Sequence, residues 1–246
     1  MQNEAYRLIG EPVPGGILVV ADHASNRVPD DITLGIDPAL MNEHIAIDIG
    51  VADVAERMVA SDPAGRTAAW LANVSRLVCD FNRDHDGPGV LPEISDGHPI
   101  PGNALDAAGR KARVARFFEP YHAGLEHVLE FTPPALILSL HSFTPALRTS
   151  DRPRPWQVGV LYNMDDRAAR LAIPLLEAED VVVGDQEPYS GKVLNATMNR
   201  HAEAHGRTYL GIEIRQDQIA NESGQIEWAR RLSRICAGVL RRLTSA

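Results

Sequence analysis

The apolar run at 135–145, ALILSLHSFTP, does most to limit what this chain can fold into. It is long enough for a strand buried on both faces, and it stops in His141, Ser142 and Thr144. Strands of that kind sit inside α/β sheets, with helices covering both sides. Their carboxyl ends are where such sheets gather ligands and catalytic groups. A second segment repeats the design. GILVVADHASN, 16–26, runs apolar and then delivers Asp22, His23, Ser25 and Asn26. One histidine at a strand end is commonly structural; two such ends point to a shared site.

The rest of the chain alternates strand and helix periods. Residues 1–15 read as a polar entry turn, and Asp37-Pro38 as an N-cap with proline at the first helical position. From Asp48 the spacing turns helical, through Val51, Val54, Ala55, Met58 and Val59. Asp48 is then either the cap of that helix, where a carboxylate is favoured, or a functional group. Residues 68–74 and 76–81 read as short strands, the second running into Asn82, Arg83 and Asp84. Residues 85–103 carry Gly, Pro and Asp without a period. A loop of that length can line a site, cover one or equally be plain surface.

Residues 106–130 give the longest helix, with Val114, Phe117, Phe118, Tyr121, Leu125 and Val128 as its apolar stripe. Pro120 is expected to bend or split it, and His122 and His127 to lie at its surface or boundary. There follow a strand at 156–162, a helix at 165–177 and a short strand at 181–183. A helix at 195–204 bears His201, and a strand at 209–214 bears Glu213 and leads into Arg215. An amphipathic helix from about Ser223 closes the chain. The alternation, without repeat or linker, predicts one α/β domain over 1–246 with a parallel or mixed central sheet.

Bulk properties exclude some functions. The net charge of −9 comes with no basic block, which argues against a nucleic-acid partner. Cys79 and Cys236 lie in apolar segments and form no C-x-x-C pair, so they read as reduced core residues. No apolar run approaches the ~18 residues of a membrane helix. The first residues lack the basic start and apolar core of a signal peptide, which makes the cytoplasm the expected location.

The chemistry falls to the polar strand ends. Two histidines and a carboxylate are a usual ligand set for catalytic zinc, with one position left for water. No H-E-x-x-H motif is present, so His23, His141 and an acidic group would have to meet from separate elements. A metal-activated water needs a general base beside it, and Glu213, flanked by apolar neighbours in IEIR, is placed to be one. Its competing reading is an ion pair with Arg215 two residues on. Asn82 and Arg83 could hold a substrate carboxylate by amide and guanidinium donors. Arg83 could equally bridge to Asp80, Asp84 or Asp86.

In this order, ADHASNRVP, EHIAIDIG, SRLVCDFNRD, SLHSFTP, GDQEPYSG, TMNRHAE and IEIRQD resemble the N-formylglutamate amidohydrolase family. The likeness runs from about Tyr6 to the last helix. That family is similar to the zinc carboxypeptidases and to the aspartoacylase and succinylglutamate desuccinylase group. The resemblance implies a metallocarboxypeptidase-like three-layer α/β/α sandwich with a mixed sheet. It also implies hydrolysis of an amide, giving formate and glutamate from N-formylglutamate.

The relatives hold zinc on an H-x-x-E pair and a distant histidine, which match His23 and His141. Asn26 stands where the glutamate would be, so Asp48 becomes the favoured third ligand, with Asn26 and His44 as alternatives. The D-x-N-R likeness carries carboxylate binding to Asn82 and Arg83, with Arg215 as a further candidate and Ser142 as a polar group of the pocket. Arg76 resembles the arginine that polarises the scissile carbonyl, and Glu213 the general base. Two rivals remain: a hydrolase of another N-acyl amino acid, short peptide or cell-wall amide, and a binding protein on a degraded metal site. A serine nucleophile is disfavoured, since neither Ser25 nor Ser142 sits in a G-x-S-x-G elbow.

Overall fold

In the computed structural model, which describes residues 3–245, the two apolar runs lie side by side. They form β2 (Ile17–Ala21) and β6 (Leu136–Phe143), parallel neighbours at the middle of a seven-stranded sheet. β3 (Thr67–Ala72) extends the parallel pairing beyond β2, and β9 (Tyr209–Arg215) extends it beyond β6. The edges reverse direction. β1 (Tyr6–Ile9) runs antiparallel to β3, and β7 (Val158–Leu161) antiparallel to β9. β8 (Val183–Asp185) completes the sheet, parallel to β7, so the sheet is mixed.

Helices cover both faces. On one, α1 (Val51–Ala60), α3 (Arg167–Glu177) and α5 (Glu222–Leu243) pack on Val19, Leu138, Leu140 and Ile212. On the other, α2 (Ala107–Phe131) and α4 (Ala196–His201) pack on Leu18, Val20, Ile137 and Tyr209. This is the expected three-layer α/β/α sandwich. The period of two along β6 and β9 assigns His141 to the face of Ile137, and Glu213 to the face of Tyr209. That is the α2 side, and the two residues are register partners.

The sequence expectations fail in three places, each for a physical reason. Residues 76–81 form no strand: the amides of Val78 and Cys79 bond back to the Ser75 carbonyl in a tight turn. Leu77, Val78 and Cys79 are apolar because they are buried, not because they pair in a sheet. Helix α2 is not split at Pro120 but runs on through it. The ~3 kcal/mol cost of an interior proline is outweighed by fully burying Phe117, Phe118, Tyr121 and Leu125, at roughly 1.5–3 kcal/mol each. β1 lies in a segment that reads as a polar turn; its partner β3 supplies the pairing, which no local pattern announces.

His122 also departs from expectation, being buried rather than at the surface. Its Nε2–H donates to the Phe81 carbonyl at 3.1 Å, so its Nδ1 must accept, at 2.8 Å, from His201 Nε2–H. Burial keeps both rings neutral, which fixes this direction. Burial, with the neighbouring His201, lowers the His122 pKa to about 3, and burial with Arg200 lowers that of His201 to about 4. Unfolded histidines take up protons from about pH 6.5 downward, whereas this pair resists until pH 4 or below. Stability contributed by the pair is thus intact above pH 6.5 and lost as pH falls toward 4, by up to roughly 1.4 kcal/mol per pH unit for each ring. Urea unfolding at pH 7.5 and 5.5 checks this. His201→Leu should flatten the pH dependence, and parallel curves for the two proteins would refute the assignment.

Candidate active site

The carboxyl ends of β2, β6 and β9 open into a cavity of about 140 Å³. His23 follows β2, His141 belongs to β6 and Glu213 to β9. Asp48 joins them from the turn before α1, where its amide bonds to the His23 carbonyl at 3.0 Å. It does not cap the helix. The N-cap is Gly50, in a left-handed conformation with φ 80°. A Cβ there would sit 2.3 Å from the Ile219 carbonyl oxygen, so only glycine lets the chain turn this tightly. The turn frees the Asp48 side chain to face the histidines.

One oxygen of Asp48 is the meeting point. Its Oδ2 lies 2.9 Å from His141 Nδ1 and 3.3 Å from His23 Nδ1, and the three residues converge within 4.8 Å. Ligand atoms on a tetrahedral zinc, with bonds of about 2.0–2.1 Å, stand roughly 3.3–3.4 Å apart. The outer ring nitrogens face carboxylates: His23 Nε2 meets Asp80 Oδ1 at 2.8 Å, and His141 Nε2 faces Asp22 Oδ2 at 3.6 Å. Carboxylate, imidazole and metal in line is how ligating histidines are commonly fixed. These residues fit a divalent metal.

The electrostatics agree. Burial opposes ionisation of Asp48, but His23, His141 and Arg76 outweigh it and hold the carboxyl well below its usual range. Asp80 is likewise held low against burial, by His23, Arg76 and Arg83. Burial disfavours a charged His141, yet Asp22 and Asp48 raise its pKa well above the ordinary value. Without a metal, a proton on Nδ1 therefore bridges to Asp48, and a metal would have to displace it. Glu213 differs: burial dominates and raises its pKa to about 7. Its Oε2 is shielded and has no partner. On β7 its register partner is Gly159, which leaves the carboxylate no side chain on that side.

Arg76 spans the two carboxylates, with Nη1 3.2 Å from Asp48 Oδ1 and Nη2 3.1 Å from Asp80 Oδ2. Asn82 and Arg83 line the same cavity. The Asn82 Oδ1 accepts from the Thr197 amide at 3.1 Å, which turns its NH₂ donors elsewhere. Arg83 donates to the Asn82 carbonyl and approaches Asp80 at 3.6 Å, so it lines the cavity and also makes the expected alternative bridge. Ser142 lines it too. The Ser142 hydroxyl proton goes to the Ile49 carbonyl at 3.0 Å, leaving lone pairs for a substrate donor.

Other residues are placed elsewhere. Arg215 does not line the cavity: its guanidinium turns back to Asp217 at 2.7 Å and to the carbonyls of Arg154 and Pro155. It closes β9 and is free to bend toward the turn that follows. That also removes the Glu213–Arg215 ion pair. Asn26 is partly exposed and bonds Asn42, away from the cluster. His44 lines the cavity but bonds Asp96, and His201 is committed to His122. Asp22 and Asp80 support the two histidines, a role the sequence reading did not give them, although Asp22 precedes His23 and Asp80 heads the D-x-N-R segment. A roomier apolar groove of about 520 Å³ lies at the opposite ends of β2 and β3, around Gly16, Ile17 and Thr67. It holds no comparable cluster.

The model of the N-formylglutamate amidohydrolase family matches residues 15–220. The chain belongs to this family. Membership makes it an amidohydrolase acting on a small molecule, and the matched span contains every residue of the cavity described above. A gene product of Agrobacterium tumefaciens, of known structure, is 28% identical with a TM-score of 0.89, over 98% of this chain and 97% of that one. An N-formylglutamate amidohydrolase from Ralstonia eutropha is 20% identical with a TM-score of 0.73, over 97% of each chain, and so shares the fold. No protein with a curated description matches the sequence. Among the described residues, no helix is long and apolar enough to cross a membrane.

Proposed function

We propose that this amidohydrolase is zinc-dependent and hydrolyses N-formyl-L-glutamate to formate and L-glutamate. The observation that carries the reading is the convergence of His23, Asp48 and His141 on one point, with Glu213 register-paired to His141. Held there, a zinc ion would supply an acidified water and polarise the acyl carbonyl. Glu213 takes the proton from the attacking water; a carboxyl near pKa 7 suits that transfer at neutral pH. The same carboxyl then returns the proton to the departing nitrogen. Arg76, fixed by Asp48 and Asp80, keeps N–H donors for the oxygen that gains negative charge. Asn82 and Arg83 hold a substrate carboxylate, and Ser142 offers its lone pairs to the amide N–H.

The reading is tested by following formate and amine release from N-formyl-L-glutamate, N-acetyl-L-glutamate and a muramoyl-alanine amide. Formyl turnover should exceed the others by at least roughly tenfold, since a cavity of about 140 Å³ leaves little room for a larger acyl group. Faster release from a larger acyl group would keep the chemistry and overturn the substrate.

A further inference from the structure

Five basic side chains line the cavity. His23 and His141 belong to the metal cluster, Arg76 is clamped between Asp48 and Asp80, and Arg83 leans on Asp80. His44 is tied to none of these. Its Nε2 bonds Asp96 Oδ2 at 3.0 Å, and among the described residues no group bonds its Nδ1.

Asp96 is built to hold that ring. It sits at the tip of a hairpin formed by β4 (Ile94–Ser95) and β5 (His98–Pro99). Asp96 and Gly97 both have positive φ, 42° and 77°, the two-residue turn that Asp-Gly provides. The Asp96 carboxylate also accepts from the Arg148 amide at 2.8 Å, the Thr149 amide at 3.0 Å and the Thr149 hydroxyl at 2.6 Å. One carboxylate thus fastens the hairpin, the 148–149 turn and His44 at the cavity mouth. Within the segment at 85–103, which has no period of its own, this side chain ties the hairpin tip to the 148–149 turn.

We propose that His44, oriented by Asp96, receives the second carboxylate of a dicarboxylic N-acyl amino acid. This rests on the amidohydrolase reading, in which Asn82 and Arg83 take the first carboxylate and leave the second without a cation. Nδ1–H donates to the incoming carboxylate while Nε2–H stays on Asp96. His44 is then a specificity residue and Asp96 its positioning residue.

The test compares kcat/KM for N-formyl-L-glutamate with that for N-formyl-L-glutamine, in the wild type, His44→Gln and Asp96→Asn. Asparagine keeps the turn conformation. Loss of one charged hydrogen bond should cut the glutamate-to-glutamine ratio roughly 10- to 100-fold in His44→Gln. Asp96→Asn should shift it in the same direction. A ratio within about threefold of wild type in His44→Gln overturns the assignment. Calorimetric binding of glutarate against butyrate decides the matter independently of turnover. Wild type should prefer glutarate and His44→Gln should lose that preference, whereas equal preference in both proteins overturns the proposal. A wild type that turns over neither formyl substrate refutes the functional reading and leaves the binding comparison standing.

Discussion

Glu213→Gln is expected to lower kcat by roughly 10²- to 10⁴-fold while metal affinity stays near that of the wild type. The amide matches the carboxylate in size, so the strand register with His141 and Gly159 survives. What goes is the ability to accept a proton beside the attacking water. Glu213 suits the role because its Oε2 is buried with no hydrogen-bond partner, and burial pushes the carboxyl up to about 7. A structural glutamate at this depth would be paired, as Asp80 is paired with His23 and Arg76. Steady-state kinetics with a metal competition assay separate the roles. A fall in kcat of less than about threefold would remove Glu213 from the chemistry.

Asp48→Asn should do the reverse and act first on the metal. The substitution leaves a neutral amide at the point where both Nδ1 atoms converge. It also leaves Arg76 bridging to Asp80 alone. Loss of an outer partner typically costs 10- to 100-fold in metal affinity, and loss of the charged ligand should cost more than roughly 100-fold. Asn26→Ala, away from the cluster, should leave affinity unchanged. Competition with a chromophoric zinc chelator reads both. If Asn26→Ala weakened binding and Asp48→Asn did not, Asp48 would not be the third ligand.

The parts of this molecule that were legible in the sequence are those written in local periods. Apolar runs announce β2 and β6, and abrupt polar endings announce His23 and His141 at the shared carboxyl ends of those strands. The α2 stripe of Phe117, Phe118 and Tyr121 reads as core and is buried. What stayed hidden depends on contacts between distant segments. β1 becomes a strand because β3 offers it an edge, and 76–81 becomes a turn because Ser75 collects its amides. His122 is polar in the sequence but buried in the fold, its needs met by Phe81 and His201 from other elements. Asp48 shows the boundary best. Its spacing suggests a helix cap, and only the tertiary turn at Gly50 releases it toward the histidines.

The choice among Asp48, Asn26 and His44 is therefore beyond local pattern. Asn26 occupies the glutamate position of H-x-x-E and lies away from the cluster; Asp48, whose spacing reads as a helix cap, lies at its centre. Arg215 fails for a related reason. Strand alternation places it on the face of Glu213, but at the last residue of β9 it turns back to Asp217.

In the proposed mechanism His23, Asp48 and His141 hold one zinc ion on which hydrolysis depends. Metal-free protein, prepared by exhaustive chelation and dialysis, is titrated with zinc while formate release from N-formyl-L-glutamate is followed. Activity should be absent at the start, rise linearly and break sharply at one equivalent, and His141→Ala should show no such break. Full activity in the metal-free protein would contradict the mechanism.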